Sequence, residues 1–572
     1  MPDYDLVIRG GTVFDGTGGA PVEADVGITG NRIAAIGAIS AKGAEEIDAK
    51  GKFVTPGFVD IHTHYDAQAV WDPHLTPSSH HGVTTAVMGN CGVGFAPCRP
   101  ADRAKLVELM EGVEDIPGAV MNEGLKWEWE SFAEYLDALE RRQRDIDICA
   151  LLPHAAVRVF VMGDRAINLE NANQGDIAQM REIARDAMKA GAFGFSTSRS
   201  LSHKTLKGDP TPTLRAQEDE LIGIAAGMKD AGSGMLDMVS EWLPDHNEEF
   251  AMLRRVVESC GRPAVFTLTQ RHARPEVWRD LMHQADRAIA DGLPIRPVFG
   301  PRAVGVLLGL SGSQNPFSGT PTYKSIAHLP VAERVRRMRD PAIRAAILSE
   351  DPTKESTFPL MHRLSYAYMF RFGNPPDYEP RKEDSLEAIA AREGRTPPEV
   401  AYDVLLETDG TDFIYTTLSS YAYGNLSMAE TLLGNRNCIM GLGDGGAHVA
   451  FILDAGYQTW LLSHWGRTRG LYQPQELIRR VTSDTAHAAG LYDRGVLKVG
   501  RKADVNVIDW DRLGADKPYV VHDLPAGGKR LMQKVHGYEA TIVAGQVTFR
   551  EGEATGALPG RLVRGPQAEL AA

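Results

Sequence analysis

From about residue 174 the chain repeats one plan, an amphipathic helix, a glycine turn and a short apolar run, and that repetition restricts its fold more than any other feature. "DIAQMREIARDAMKAGAFGFSTS" shows the plan, and "EDELIGIAAGMKDAGSGMLDMVSEW" and "HNEEFAMLRRVVESCGRPAVFTLTQ" repeat it. So do "PEVWRDLMHQADRAIADGLPIRPVFG", "PPEVAYDVLLETDGTDFIYTTLS" and "SMAETLLGNRNCIMGLGDGG". Helix–strand repeats of this length imply a parallel sheet, and about eight of them favour a closed α/β barrel of the (β/α)8 TIM-like kind. An open doubly wound sheet is the weaker alternative, because no GxGxxG follows a strand.

Both ends read differently. Residues 4–55 are short strands broken by glycine, and the pattern returns in "RGVLKVGRKADVNVIDW" and "YEATIVAGQVTFREGE". Each end is too small to bury a core alone, so the two are expected to fold together as a small β-sandwich. The expected domains are 1–56 and 483–572 for the sandwich and 57–482 for the barrel. An insertion at about 310–380, marked by "SGSQNPFSGTPTYKS" and charged helical text, interrupts the rhythm and is expected to act as a lid or flap.

The 572 residues carry a net charge of -14 with no basic run, which argues against nucleic acid and acidic membranes as partners and leaves small molecules. No segment approaches the roughly 18 uninterrupted apolar residues of a membrane span, and the start lacks a signal-peptide pattern, so the chain is read as cytoplasmic. Five cysteines without CxxC spacing read as reduced core thiols, with Cys91 the exception.

Alternation along "FVDIHTH" sends His62 and His64 to one side of a strand, the inside in a barrel, where two neutral imidazoles could bind a metal such as zinc. Cys91, in "GVTTAVMGNCGVGFAPC", ends the next strand and could ligate or bridge a metal. Asp444 ends the last strand, "CIMGLGDGGAHV", where a carboxylate can hold a metal and take a proton from attacking water. The competing readings are two satisfied core histidines, a buried small hydrophobe and a turn aspartate. In "ICALLPHAAVRVF", His154 is a candidate donor to the oxyanion or a support for the site, and Arg158 a candidate for a substrate carboxylate or a plain ion pair.

Together, "VTPGFVDIHTHYDAQ", "HHGVTTAVMGNCGVGFAP", "GAFGFSTS", "GLGDGGAH" and "RGVLKVGRKADVNVID" resemble the amidohydrolase superfamily, specifically its N-acyl-D-amino-acid deacylase (D-aminoacylase-like) branch. The resemblance covers nearly the whole chain and implies a barrel with zinc at its mouth that hydrolyses an amide. It maps metal ligands or base onto His62, His64, Cys91 and Asp444. It also implies histidines at the ends of strands five and six, but those strands read "SGMLDMVSEW" and "AVFTLTQRH". Asp237 or Glu241, and Thr269, Gln270 or His272, are what lies nearby. The fourth strand, "AFGFSTS", offers no lysine for carboxylation.

One zinc ion on His62, His64 and Asp444 with Cys91 beside it is therefore favoured, with two ions, completed by an oxygen ligand from strand five or six, left open. The expected reaction is hydrolysis of an N-acyl amino acid or related small amide, Asp444 taking the proton of the attacking water and returning it to the leaving nitrogen. Arg158, Arg199 and Arg271 are the candidates for a substrate carboxylate, and Tyr421 and Tyr423 in "YAYG" for a more apolar pocket. A cyclic-amide hydrolase of the dihydroorotase or hydantoinase kind and a metal-poor, non-catalytic binding barrel are the alternatives. Oligomers are common on such scaffolds, and nothing in the sequence sets a subunit number.

Overall fold

The computed structural model describes residues 3–354 and 364–568. The N-terminal segment forms β1 (Tyr4–Val13), β2 (Val22–Thr29), β3 (Arg32–Gly37), β4 (Gly43–Asp48) and β5 (Phe53–Pro56). Next come β6 (Phe58–Thr63), β7 (Val83–Met88), β8 (Asp147–Ala150), β9 (Leu152–Pro153), β10 (Gly194–Arg199), β11 (Met235–Ser240), β12 (Ala264–Thr267) and β13 (Ile295–Phe299). After them run β14 (Val304–Leu308), β15 (Met369–Arg371), β16 (Ile414–Ser419), β17 (Ile439–Met440) and β18 (Val505–Ile508).

β6, β7 and β8 make one parallel ladder, and β9 to β13, then β17, make a second. Only Leu151 separates β8 from β9, so the chain passes directly from one ladder to the other. At the far side the loop after β17 returns to β6: the Asp444 N–H donates to the His62 carbonyl (3.1 Å) and the His64 N–H to the Gly445 carbonyl (2.7 Å). Every residue of β6, β7, β8 and β11 is buried, which is why these strands read as apolar runs rather than alternating ones.

The helices between strands form for local reasons. Gln174–Ala190 starts at an Asn173–Asp176 capping box, stops at Gly191 with φ 115°, and buries Ile177, Met180, Ala184, Ala187 and Met188 along one stripe. That 3–4 spacing lays the helix on the sheet and leaves its charged face in water.

The interruption of the repeat is longer than expected. β14 and β15 both pair antiparallel with β16, and Val306, Leu308, Phe317, Tyr402 and Ile414 share a separate core with Phe451 and Ile452. The unit "PPEVAYDVLLETDGTDFIYTTLS", read above as part of the parallel repeat, supplies the helix Pro397–Leu406 and β16 to this inserted layer. Its local pattern is that of any helix–strand pair, and only the antiparallel partner distinguishes it. Residues 355–363 of the insertion lie outside the described residues.

The chain ends meet in one sheet. β18 pairs antiparallel with β5 on one side and with Tyr538–Val543 on the other, and Leu6, Ile8, Val26 and Ile28 pack with Leu497, Val505, Val507 and Ile542. Residues 483–572 do more than complete that sheet. A hairpin of Tyr519–Leu524 and Gly528–Met532 leaves it and reaches the far layer, where the Leu531 N–H donates to Val449 (2.6 Å) and Lys529 Nζ to the carbonyls of Ser311 (3.1 Å) and Gly312 (2.6 Å). Among the described residues no helix is long and apolar enough to cross a membrane.

A buried ionic cluster joins the parallel strands to this C-terminal segment. Asp147, at the start of β8, accepts from Arg494 Nη1 (2.6 Å) and Lys502 Nζ (2.8 Å), while Asp493 and Asp504 take the remaining charge of those cations. Burial alone would raise the Asp147 pKa, but Lys502 and Arg494 outweigh it and hold the carboxyl far below its usual range. The stabilisation is therefore complete above the unfolded-state value of about 4 and is lost as pH falls toward the folded value. Asp147→Asn leaves two buried cations short of a partner and is expected to cost about 3–5 kcal/mol, read as a lower urea midpoint with unchanged slope. An unchanged midpoint would rule out this role for the cluster.

Candidate active site

The tip of β7 is shaped by "GNCG". Gly89 (φ 85°) and Gly92 (φ 70°) have no room for a side chain: a Cβ at Gly89 would lie 2.5 Å from the Leu151 carbonyl oxygen and one at Gly92 2.9 Å from the Ser198 nitrogen. Asn90 Nδ2 donates to the carbonyls of Thr63 (3.1 Å) and Val87 (2.9 Å), fastening the turn to β6 and β7. Ser196 on β10 accepts the Gly92 N–H (3.1 Å) and donates to the Gly89 carbonyl. Cys91 is thus held at φ 56° with its sulfur 3.6 Å from His62 Nε2.

His62 is the penultimate residue of β6 and His64 follows two residues on, so both rings fall on one face, their centroids 5.5 Å apart. Asp444 Oδ1 lies 3.3 Å from His62 Nε2 and 3.6 Å from His64 Nε2. Ligand atoms of His62, His64 and Cys91 all lie within 4.8 Å of one another. Ligands held at about 2.0–2.3 Å from a tetrahedral zinc sit roughly 3.3–3.8 Å apart, so the 3.3 and 3.6 Å separations match such a site.

The surroundings also call for a cation. Asp66, Asp237 and Glu114 are all buried. Asp66 accepts the Gly89 N–H (3.0 Å), whereas Asp237 Oδ2 and Glu114 Oε1 have no hydrogen-bond partner among the described residues. Burial raises these carboxyl groups to about 6 for Asp66 and about 7 for Asp237 and Glu114. Burial likewise pushes the Cys91 thiol well up, with Glu114 and Asp444 acting the same way, and lowers His62 to about 4. His64 moves the other way: Glu114 and Asp444 outweigh burial and raise it to about 9. Asp444 stays far below the usual carboxylate range because His64 and His62 outweigh its burial. Glu114 and Asp444 thus favour positive charge at His64, the place a bound divalent cation would take.

The remaining candidates from the sequence are placed as follows. His154 begins a helix, and both its ring nitrogens are engaged, Nδ1 with Thr197 Oγ1 and Nε2 with Glu220 Oε1, each at 2.8 Å. Arg158 Nε meets the same Glu220 at 2.8 Å, and its other nitrogens donate to the carbonyls of Pro212 and Glu170. The pair is a buried ionic brace, which favours the readings of His154 as a support and of Arg158 as an ion pair. Arg199 pairs with Glu249 (2.5 Å) and caps the Ala216 carbonyl. Arg271 pairs with Glu241 at the ends of β11 and β12, its side chain 37% exposed. Tyr421 is fully buried, its hydroxyl on the Pro380 carbonyl (2.6 Å), and Tyr423 donates to Pro275 (3.0 Å). Both hydroxyls fasten the "YAYG" loop.

The sequence reading named Asp237 but missed Glu114, Asp66, His203 and His448. Asp66 and His448 lie inside the quoted "HTHYDAQ" and "GDGGAH" segments, so proximity in sequence was a signal. Glu114 ends the helix Arg103–Glu114 and His203 stands in a loop, hydrogen-bonded to Ser198 Oγ (2.7 Å). Neither carried a local pattern that pointed here.

Comparison with known proteins agrees with this architecture. A D-aminoacylase structure studied for its binuclear metal centre superposes with a TM-score of 0.64 at 22% identity, covering 98% of this chain and 100% of that one. An N-acyl-D-glutamate deacylase from Bordetella bronchiseptica, solved with zinc and a phosphonate inhibitor, gives 0.64 at 22% over 98% and 99%. A D-hydantoinase from a Thermus species is more distant, at 0.51 and 15%, over 99% and 100%. In sequence, the D-aminoacylase of Alcaligenes xylosoxydans xylosoxydans is 26% identical over 98% of this chain and 97% of its own. An N-acyl-D-glutamate deacylase from the same organism is 40% identical over 39% of this chain and 41% of its own. The model of the amidohydrolase family matches residues 45–549, and the chain belongs to that family.

Proposed function

We propose that the protein is a metal-dependent hydrolase of N-acyl amino acids or related small amides, with zinc held by His62, His64, Cys91 and Asp444. The observation that carries this reading is the position of one Asp444 oxygen, 3.3 and 3.6 Å from the two imidazole nitrogens that face it. With β8 and β9 taken as one interrupted strand, β6 to β13 and β17 then form a closed (β/α)8 barrel, its seam the pair of backbone hydrogen bonds between the Asp444 loop and β6. Residues 57–482 make up that barrel with its insertion, 1–56 and 483–572 supply the end sheet, and the site sits where the strands' C-terminal ends converge. One ion is the favoured complement.

Zinc, when bound, supplies a Lewis acid that polarises the amide carbonyl and makes water acidic enough to attack at neutral pH. The rest is done by the chain. Asp444 is ionised across the neutral range, so a carboxylate oxygen is free to take the proton of the attacking water and hand it to the leaving nitrogen as the C–N bond breaks. The enclosing wall of buried groups keeps bulk water out, so these charges act at short range with little screening. Among the three arginines weighed for a substrate carboxylate, Arg158 is sealed and Arg199 20% exposed, which leaves Arg271 as the one at the mouth.

Asp444→Asn is expected to lower turnover of N-acyl amino acids by about 10²–10⁴-fold. Zinc measured by elemental analysis should persist in that variant, while His62→Ala should lose it. Full turnover in Asp444→Asn, or a wild type that binds no zinc after metal is added back, would remove the reading. Arg271→Ala is expected to raise KM for carboxylate-bearing substrates by about tenfold with kcat retained, on the scale of one lost charged contact. An unchanged KM would exclude Arg271.

Zinc affinity should also depend on pH with a definite sign. Zinc needs His64 neutral and Cys91 as thiolate, whereas the metal-free protein keeps His64 protonated up to about 9 and raises the thiol. Affinity is therefore expected to rise with pH through the neutral range, with proton release on binding. Calorimetric titrations in two buffers of different ionisation enthalpy measure that release, and binding without it would contradict the ligand set.

A further inference from the structure

We propose that Glu114, carried from the segment between β7 and β8, is a positioning residue that fixes which nitrogen of His64 faces the metal and ties the Asp444 loop to it. This rests on the metal reading above. Glu114 is 1% exposed, and its two oxygens point in different directions: Oε1 lies 3.4 Å from His64 Nδ1 and Oε2 lies 3.5 Å from His448 Nε2. Among the described residues no lysine or arginine pairs with it, and the two imidazoles are the groups its oxygens face. Neither His64 Nδ1 nor Glu114 Oε1 has a hydrogen-bond partner among the described residues and the two face one another, while the other nitrogen of His64, Nε2, faces Asp444.

A neutral imidazole carries one ring proton, and the acceptor beside it decides where that proton sits. A carboxylate at Nδ1 places the proton there and leaves the Nε2 lone pair toward Asp444, the side on which the other donors converge. Without Glu114 the proton is free to move to Nε2, where it would point at the cation. This is the support that ligating histidines generally require, here supplied by a helix end rather than by a neighbouring strand.

The second oxygen serves the loop. Asp444 (φ 48°) and His448 (φ 47°) are non-glycine residues in the left-handed region, a conformation costing about 1–3 kcal/mol each that persists only when neighbours hold it. Glu114 holds it twice, through the His448 side chain and through its own carbonyl, which accepts the His448 N–H. One residue thus sets the orientation of one ligand and the position of the loop that carries another.

The test compares zinc affinity, by competition with a chelator, in wild type, Glu114→Gln and Glu114→Asp, with ring-nitrogen NMR of the zinc-loaded full chain. Glu114→Gln is expected to weaken zinc binding by about 10–100-fold, and Glu114→Asp to recover part of it. In wild type His64 should carry its proton on Nδ1. Zinc affinity in folded Glu114→Gln equal to that of wild type would overturn the proposal and leave the metal site standing. A proton on His64 Nε2 in the wild-type zinc form would overturn it even if the variant does not fold. A wild type that binds no zinc would overturn both this and the metal reading.

Discussion

Two backbone hydrogen bonds carry the site: Asp444 N–H to the His62 carbonyl and His64 N–H to the Gly445 carbonyl. Each links the neighbourhood of a candidate ligand to the backbone of the opposite strand. The main chains that carry Asp444 and the two imidazoles are therefore held side by side, and their side chains meet across that join. Main-chain bonds of this kind are costly to leave unmade in a dry interior, which makes the join rigid. The "GNCG" turn adds Cys91 on the same terms, clamped by Asn90 to the neighbouring strand ends and by Ser196 to β10. At the other end of β8, the Asp147 cluster ties the strands to the C-terminal segment. Chemistry and anchorage occupy opposite ends of the same strands, the division expected of this architecture.

What the sequence disclosed follows this division between local and tertiary causes. The placement of His62 and His64 on one face needs only strand alternation, and Cys91 needs only a glycine-framed strand end, so both were legible. Glu114 was not, because its approach depends on how the helix Arg103–Glu114 lies across the strand ends. The alternatives for His154 and Arg158 stayed open for a similar reason: the acid that engages both, Glu220, lies 66 residues beyond His154. The unit ending in β16 imitated the parallel repeat because helix propensity and apolar runs do not encode the pairing partner. Tyr421 and Tyr423 suffered the commonest ambiguity of aromatic residues, which pack loops as readily as they line pockets.

The absence of histidines at the ends of β11 and β12 changes the balance of charge at the site more than the number of its donors. Asp237 stands on β11 with one oxygen unpartnered, and Glu241 follows the strand and pairs with Arg271. Asp237 is thus an acid on the strand where the resemblance implied a neutral imidazole, which makes the pocket more negative than one with a histidine there. In the metal-free chain, burial answers by lifting Asp66, Asp237 and Glu114 to about 6–7, and the two acids facing His64 answer by protonating it. A divalent cation held by His62, His64, Cys91 and Asp444 would oppose both responses, because it would favour the ionised acids and a neutral His64. Metal occupancy and protonation are thus one coupled equilibrium, and the hydrolytic state is the one in which the cation, and not a proton, balances the buried carboxylates.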